Sequence, residues 1–287
     1  MQASSDSVLT QLADAYEPLP SGDQEGMMVL LLCGYLLTLA SLLFFASRKL
    51  RLVQRTHAAL STTRSPQTFV FIEGYIGAGK STFIQFLFGA AMRRSDRLSL
   101  VEWKEPVNVW GEMKVDERTS LFCAFYADRR KYAFPFQVYV LLTRLSQYIR
   151  LLTDTVPRNG GGNIVVVERS IGTCRLVASV LYQTGHMDEL SYQIVASAVD
   201  SIQQPANSLT IYIRTDVDLS KTRTEKRSRP GEGDVDVPYL ELLHQAHEKT
   251  VAPTADLILN GGVDQVGLSD CCERVLDFIE GYHNKRT

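Results

Sequence analysis

The chain has 287 residues, enough for one large α/β domain together with an appendage. Its net charge of −2 excludes a protein whose whole surface attracts nucleic acid, so no nucleic-acid partner is expected. The five cysteines form no C-x-x-C pair, which indicates a reducing compartment and disfavours a structural zinc site.

The N-terminal segment is predicted to anchor the protein in a membrane. Residues 1–26 form a short acidic tail, residues 27–46 contain no charged side chain, and residues 47–66 form a basic linker. A helix of about 20 residues spans about 30 Å, the thickness of a bilayer core. Because the basic residues follow the apolar segment, the positive-inside rule places residues 67–287 on the cytosolic side. We therefore predict a single-pass membrane protein.

Three alternatives to an anchor at residues 27–46 are less favoured. A cleaved signal peptide usually begins with basic residues, whereas this tail is acidic. A mitochondrial transit peptide is rich in arginine and poor in acids, and this tail is the reverse. A buried core helix is the third alternative, but it is less favoured because these twenty uncharged residues lie outside the predicted α/β domain.

The most specific motif is Gly74–Ser81, which fits the phosphate-binding pattern G-x-x-x-x-G-K-[ST]. Its glycines let the backbone curl so that successive N–H groups face phosphate oxygens, and the N-terminus of the following helix adds positive potential. Lys80 is expected to reach the β- and γ-phosphates, and the Ser81 hydroxyl is expected to bind Mg²⁺. The predicted ATP-binding residues are Gly74, Gly77, Gly79, Lys80, Ser81 and Thr82.

From about residue 66 onward, apolar strand patterns alternate with helical patterns. This alternation predicts an α/β fold with a five-stranded parallel sheet covered by helices on both faces, and a ligand site at the carboxyl ends of the strands. The predicted strands are 68–73, 98–102, 164–168, 209–214 and 256–260. The predicted helices are 80–92, 118–132, 136–155, 172–182, 187–203, 218–228, 237–250 and 268–282.

Two carboxylates follow predicted strands at this edge of the sheet. Pro106 should end regular structure after the second strand and leave Glu105 facing the crevice, where a carboxylate can accept a proton from a hydroxyl. Glu168 ends the third strand, where an acid beside a phosphate loop is the usual partner of Mg²⁺. Taken alone, each carboxylate is also compatible with an ordinary solvated loop residue.

The segment from Phe69 to about Asp277 resembles the deoxyribonucleoside kinases, the group that includes deoxycytidine, deoxyguanosine and mitochondrial thymidine kinases. The phosphate loop is the one decisive motif, but the order and spacing of the others make the resemblance specific. The matching segments are 72–82, 105–107 with Trp110, 135–139, 142–145, 168–171, 211–215, 227–229, and 239–240 with His244.

The resemblance implies a P-loop kinase fold, often found as a homodimer, that uses Mg²⁺ and ATP to phosphorylate the 5′-hydroxyl of deoxyribonucleosides for nucleotide salvage. Glu105 would be the general base, Arg169 would hold Glu105 and the 5′-oxygen, and Glu168 would position Mg²⁺ through water. Gln137 would read the base, while Tyr126 and Glu232 would bind the 3′-hydroxyl. The nucleoside-binding residues implied are Trp110, Tyr126, Gln137, Val140, Arg144, Cys174 and Glu232.

A cluster of three arginines has two interpretations. Arg223 and Arg227 stand four residues apart and share a face if they are helical, and Arg229 follows closely. The group is either a solvated basic face or, as the resemblance implies, a lid that closes over ATP and neutralises charge on the transferring phosphoryl group. The loop at residues 260–266 would then surround the adenine.

Four positions depart from the family pattern. Arg144 is kept, but Cys174 stands where the deoxycytidine and deoxyguanosine enzymes have its partner aspartate. Ala178 replaces the phenylalanine that usually stacks on the base, Gly231 replaces the first of two lid acids, and Tyr75 stands where asparagine is common. The preferred base is therefore left open.

Two other classes of protein compete with the enzyme hypothesis. A P-loop GTPase or mechanical ATPase should carry D-x-x-G after the magnesium strand and N-K-x-D, and neither is present. A catalytically impaired kinase-like protein acting as a membrane-tethered binding module would explain the departures in the nucleoside pocket and lid. The residues whose retention instead favours catalysis are Lys80, Ser81, Glu105, Glu168 and Arg169.

Overall fold

A computed structural model describes residues 67–94, 99–153, 163–232 and 235–285. The predicted anchor at residues 27–46, with its tail and linker, lies outside the described residues and stays a prediction. In the part of the chain that the structure describes, no helix combines the length and the apolar character needed to cross a bilayer.

Five parallel strands form the central sheet, which confirms the predicted α/β architecture. Their order across the sheet is β2–β3–β1–β4–β5, so the strand that precedes the phosphate loop is central. All six residues of this central strand are buried, as expected for an apolar strand covered on both faces. The strands are β1 Thr68–Glu73, β2 Ser99–Trp103, β3 Asn163–Glu168, β4 Ser208–Arg214 and β5 Leu257–Asn260.

The connections between the strands are mostly helical. The α-helices are α1 Lys80–Arg93, α2 Val107–Glu112, α3 Leu121–Ala127, α4 Arg129–Thr153, α5 Gly172–Gln183, α6 Glu189–Asp200, α7 Val217–Arg227, α8 Val237–Thr250 and α9 Gln265–Asn284. A short 3₁₀ helix, Ala252–Thr254, precedes β5.

Different helices cover the two faces of the sheet. On one face, Ile72 of β1 belongs to an apolar cluster with Leu87 of α1 and Leu276 of α9. On the other face, Phe71 of β1 packs with Tyr148 of α4. Each fully buried side chain of this kind contributes about 1.5–3 kcal/mol to the free energy of unfolding. Alternation of side chains along β1 therefore fixes the sheet between two helical layers.

One predicted helix is wrong, because the segment 118–132 forms two helices. Asp128 separates α3 from α4 and adopts φ −144° and ψ 83°, which no α-helix contains. The predicted start of the next helix at residue 136 is also wrong, since α4 continues through Pro135. An interior proline costs a helix about 3 kcal/mol, but burial of the adjacent Phe136 offsets this cost.

The helix α2 is absent from the sequence-based prediction. Pro106 does end the extended segment after β2, but it also stands at the N-cap position of α2. Proline is tolerated at a helix start because the first N–H groups have no partner within the helix. The early turn matters for the site, since it carries Trp110 into the core.

Candidate active site

A cleft of about 940 Å³ opens at the carboxyl ends of the strands. Every predicted site residue except Gly74 lines it, and Gly74 lies in the turn directly after β1. The loop predicted to surround adenine also contributes, through Asn260, Gly261 and Val263. The fold therefore brings residues from all parts of the domain to one place.

The phosphate loop adopts a conformation that only glycine tolerates well. Gly77 and Gly79 have φ of 74° and 96°, in the left-handed region. A Cβ atom at Gly77 would lie 2.4 Å from the carbonyl oxygen of Ser220, so the approach of α7 also requires glycine there. The loop follows β1 and leads into α1, the context that the motif needs.

Lys80 is buried at the start of α1, and its Nζ donates a hydrogen bond to the Tyr75 carbonyl oxygen, 3.1 Å away. The pKa of Lys80 is lowered to about 7, mainly by burial and also by the nearby charge of Arg169, while Glu168 and Glu105 oppose the shift. A bound phosphate would favour the charged form of this lysine.

The Tyr75 side chain is buried next to the loop. Its hydroxyl donates to the Thr215 carbonyl oxygen at 2.5 Å, and its ring lies 5.4 Å from the ring of His244 and 6.0 Å from that of His247. Burial raises the pKa of Tyr75 to about 12. The tyrosine at this position therefore links the loop to the residue after β4 and to α8.

Ser81 and Glu168 meet beside the phosphate loop. The Ser81 Oγ donates to Oε1 of Glu168 at 3.0 Å. The pairing of β1 with β3 sets Ile72 opposite Glu168, which carries this carboxylate to the loop. Hydroxyl and carboxylate oxygens are the ligands that Mg²⁺ prefers, so these two side chains fit the ion.

Glu105 is held by two arginines. Its Oε2 accepts a hydrogen bond from Arg169 at 2.5 Å, and its Oε1 accepts one from Arg144 at 2.9 Å. Burial alone would raise the pKa of Glu105, but the charges of Arg169, Arg144 and Lys80 outweigh burial and lower it to about 2. The carboxylate is therefore ionised at neutral pH.

Glu73 is a structural part of the site for which the sequence predicts no role. It is buried at the end of β1, where its two carboxylate oxygens accept hydrogen bonds from the Ser170 N–H at 2.8 Å and the Thr173 hydroxyl at 2.9 Å. The turn that it fixes includes Arg169, whose φ of 61° is left-handed. Nε of Arg169 also donates to the Gly74 carbonyl oxygen at 3.1 Å, which ties the turn to the loop.

Aromatic side chains line the part of the cleft expected to bind the nucleoside. The Trp110 indole donates to Thr143 Oγ1 at 2.9 Å, which fixes its ring. The rings of Phe125 and Phe136 stack 4.6 Å apart and also line the cleft, although no role is predicted for them from the sequence. The predicted nucleoside-binding residues in this part of the cleft are Trp110, Tyr126, Gln137, Val140, Arg144 and Cys174.

Ala178 lies outside this lining. It is fully buried in the core around α5, and it is not among the residues that face the cleft. An alanine at this position therefore removes an aromatic side chain without leaving an exposed gap.

The three predicted lid arginines have different partners. Arg223 on α7 donates to the Gly261 carbonyl oxygen at 2.8 Å and reaches the carbonyl oxygen of Ala78 in the phosphate loop at 3.4 Å. Arg227 and Arg229 both bind the buried carboxylate of Glu232, the second of them at 3.0 Å. The acid expected to bind the sugar is thus joined to the arginines expected to bind the phosphates.

Several known proteins are similar to this chain in sequence. The sequence model of the deoxynucleoside kinase family matches residues 70–272. The chain is similar to human mitochondrial thymidine kinase 2, with 25% identity over 221 residues that cover 76% of this chain and 77% of the human protein. It is also similar to a fowlpox virus protein named probable deoxycytidine kinase, with 29% identity over 225 residues, 73% of this chain and 87% of the viral protein.

The fold is similar to that of a solved deoxyadenosine kinase from M. mycoides. The TM-score is 0.59, with 19% identity, and the match covers 75% of this chain and 100% of the bacterial chain. At this identity the likeness shows the fold alone.

Proposed function

This chain belongs to the deoxynucleoside kinase family, and we propose that it transfers the terminal phosphoryl group of ATP to the 5′-hydroxyl of a deoxyribonucleoside. The observation that carries the proposal is the buried, ionised carboxylate of Glu105 in the same cleft as a complete phosphate loop. The product is a deoxyribonucleoside 5′-monophosphate, which is consistent with a role in nucleotide salvage.

The phosphate loop and Lys80 bind the triphosphate. Main-chain N–H groups of the loop and the start of α1 face the phosphate oxygens, and the buried ammonium group of Lys80 becomes fully charged when they bind. Ser81 and Glu168 would hold Mg²⁺, Glu168 through water, and the ion would offset phosphate charge. Arg223, Arg227 and Arg229 supply further positive charge from the lid side.

Glu105 orients the acceptor. The 5′-oxygen forms a bond to the γ-phosphorus, the bond from that phosphorus to the bridging oxygen breaks, ADP leaves, and the hydroxyl proton passes to Glu105. A carboxylate with a pKa of about 2 is a weak base, so it takes the proton late. This timing suits phosphoryl transfer, whose transition state is loose and needs little prior deprotonation.

The other side chains of the cleft hold the nucleoside. The Gln137 amide is buried in the cleft and both donates and accepts, as recognition of a base edge requires. Tyr126 and Glu232 bind the 3′-hydroxyl, and the Trp110 ring lies against the base. The names of the relatives refer to nucleosides with different bases, so the substrate is proposed as a class, the deoxyribonucleosides.

The test is phosphoryl transfer by the full-length chain in detergent. The protein is incubated with magnesium, γ-labelled ATP and each of the four deoxynucleosides, and the products are separated by thin-layer chromatography. Labelled monophosphate with at least one nucleoside is expected. Binding of ATP without any labelled product would instead support the catalytically impaired, membrane-tethered binding module.

The proposal includes the membrane anchor at residues 27–46, with the kinase domain on the cytosolic side. The uncharged segment, the acidic tail before it and the basic linker after it support this arrangement. Protease treatment of intact cells or sealed vesicles tests the orientation, since a cytosolic kinase domain should be protected in intact cells. Carbonate extraction tests the anchor. An anchored protein should stay with the membranes, whereas release into the supernatant would contradict the anchor.

The proposal also includes a homodimer. The helices α4 and α6 pack against each other and expose apolar side chains to the outside, with Leu142 57%, Leu190 70% and Ile194 48% accessible. Apolar surface of this kind is typical of a face that another subunit covers. Sedimentation should give the mass of two chains, and Leu190→Glu together with Ile194→Glu should give the mass of one.

A further inference from the structure

Arg144 is placed to hold the catalytic carboxylate. It is buried on α4, with 7% of its side chain accessible. One terminal nitrogen donates to Oε1 of Glu105 at 2.9 Å, and the other donates to the carbonyl oxygens of Arg169 at 2.5 Å and Ser170 at 2.8 Å. One guanidinium group therefore ties α4 to the segment before α2 and to the turn after β3.

The residue at position 174 does not compete with Glu105 for Arg144. Cys174 lies on α5, where its thiol is buried and electrostatically coupled to Arg144. Burial raises the pKa of the Cys174 thiol, so it stays neutral and offers the guanidinium no negative charge. Within residues 67–94, 99–153, 163–232 and 235–285, Glu105 is the sole ion-pair partner of Arg144.

We propose that Arg144 is a positioning residue for Glu105 rather than a reader of the base, an inference that rests on the proposed function. Arg144 and Arg169 approach from different elements, and each binds a different oxygen of the carboxylate. Two such bonds fix the rotation of the carboxylate plane. A carboxylate accepts about four hydrogen bonds and the arginines use two of them, so acceptor sites remain for the 5′-hydroxyl.

Three cations and one neutral thiol surround Glu105. Arg169 comes from the turn after β3, Arg144 from α4, Lys80 from α1, and Cys174 from α5. Because Arg144 favours the ionised carboxylate, removing it should raise the pKa of Glu105. The acid limb of the pH–rate profile, where Glu105 becomes protonated, should then move to higher pH.

The principal test compares Arg144→Met with Gln137→Met in the full-length enzyme. If Arg144 positions Glu105, its variant should lose kcat by about a hundredfold and by the same factor for every accepted nucleoside, with KM little changed and the acid limb shifted upward. The Gln137 variant should raise KM by factors that differ between bases, without moving the acid limb. A base-dependent KM effect in Arg144→Met, as expected if its buried and unpartnered Nε contacts the base, would overturn the proposal.

A second pair of variants tests the same contact without removing the arginine. Cys174→Asp offers Arg144 a competing carboxylate, and Cys174→Asn is its neutral match. The aspartate variant should lose more kcat than the asparagine variant and shift the acid limb, after thermal melting has shown that both fold. Equal effects would overturn the proposal. Failure of the proposed function is distinguishable, since wild-type protein would then transfer nothing at all.

Discussion

The two walls of the cleft are built from different parts of the polypeptide. The phosphate wall, residues 74–82, consists mainly of backbone, and its shape depends on glycines with left-handed φ. The nucleoside wall consists of side chains carried by α2, α3, α4 and α5. The backbone wall allows little variation and has a local sequence motif. The side-chain wall has no such motif, and it includes Cys174 at a position where the family pattern has an aspartate.

The largest expected effect comes from the carboxylate between the two walls. Glu105→Gln removes the proton acceptor while keeping the shape of the side chain, so turnover should fall by about 10²–10⁴-fold. ATP binding, a property of the phosphate wall, should remain nearly intact by calorimetry. The exposed Glu112→Gln on α2 is the matched control. Unchanged turnover in Glu105→Gln would remove this residue from the reaction.

The same carboxylate should make folding stability depend on acid. The folded-state pKa of Glu105 is about 2, below its ordinary value of 4.5, so its ionisation stabilises the fold above pH 4.5 and this contribution is lost as the pH falls toward 2. The full contribution is about 3 kcal/mol. Denaturant unfolding at a series of pH values should show a shallower acid dependence in Glu105→Gln, and an identical dependence would contradict the double-arginine environment.

The phosphate wall should tolerate less change than the nucleoside wall. In Gly77→Ala the new Cβ would clash with the Ser220 carbonyl oxygen, and the left-handed φ would cost about 1–2 kcal/mol more. We expect ATP affinity to fall at least about tenfold. Gly281→Ala is the control, since it lies in α9 with no atom near its Cβ position. Equal ATP affinity in the two variants would show that the loop is not rigid.

The smallest effect should come from the support of the nucleoside wall. Thr143→Val removes the acceptor for the Trp110 indole N–H, a hydrogen bond worth about 1 kcal/mol. The nucleoside KM should rise by about fivefold while ATP binding is unaffected. Thr143 also donates to the Tyr139 carbonyl oxygen of its own helix. Thr250→Val is the matched control, because Thr250 makes the same kind of bond but is exposed on α8. An equal KM for both variants would show that the Trp110 ring does not depend on this bond.

Much of the fold is predictable because its signals are local. The five strands are short apolar runs, and the glycine pattern at Gly74–Ser81 specifies a strand, a tight loop and a helix start together. The two errors have different origins. The break at Asp128 has a local signal that the prediction missed, since the Asp128 carboxylate accepts a hydrogen bond from the Lys131 N–H and so caps the start of α4. The continuation of α4 through Pro135 has no such signal, because a proline normally ends a helix.

The site shows the same limit. Spacing and resemblance predict that the phosphate-binding residues and Glu105 meet at the cleft, because each of them follows a strand or begins a helix. The second arginine on Glu105 is not predictable in this way, since Arg144 lies 39 residues away along the chain and no local pattern links the two residues. Glu73 has a weaker signal, a carboxylate at the end of an otherwise apolar strand.

The most direct test of the proposed reaction is a crystal structure with a deoxynucleoside and a non-hydrolysable ATP analogue bound. We expect a Glu105 oxygen to lie within hydrogen-bond reach of the 5′-oxygen, at about 2.6–3.2 Å, while both arginines still hold the carboxylate and the γ-phosphate faces the same 5′-oxygen. A sugar bound with its 5′-oxygen out of reach of Glu105 would contradict the proposed role of this carboxylate.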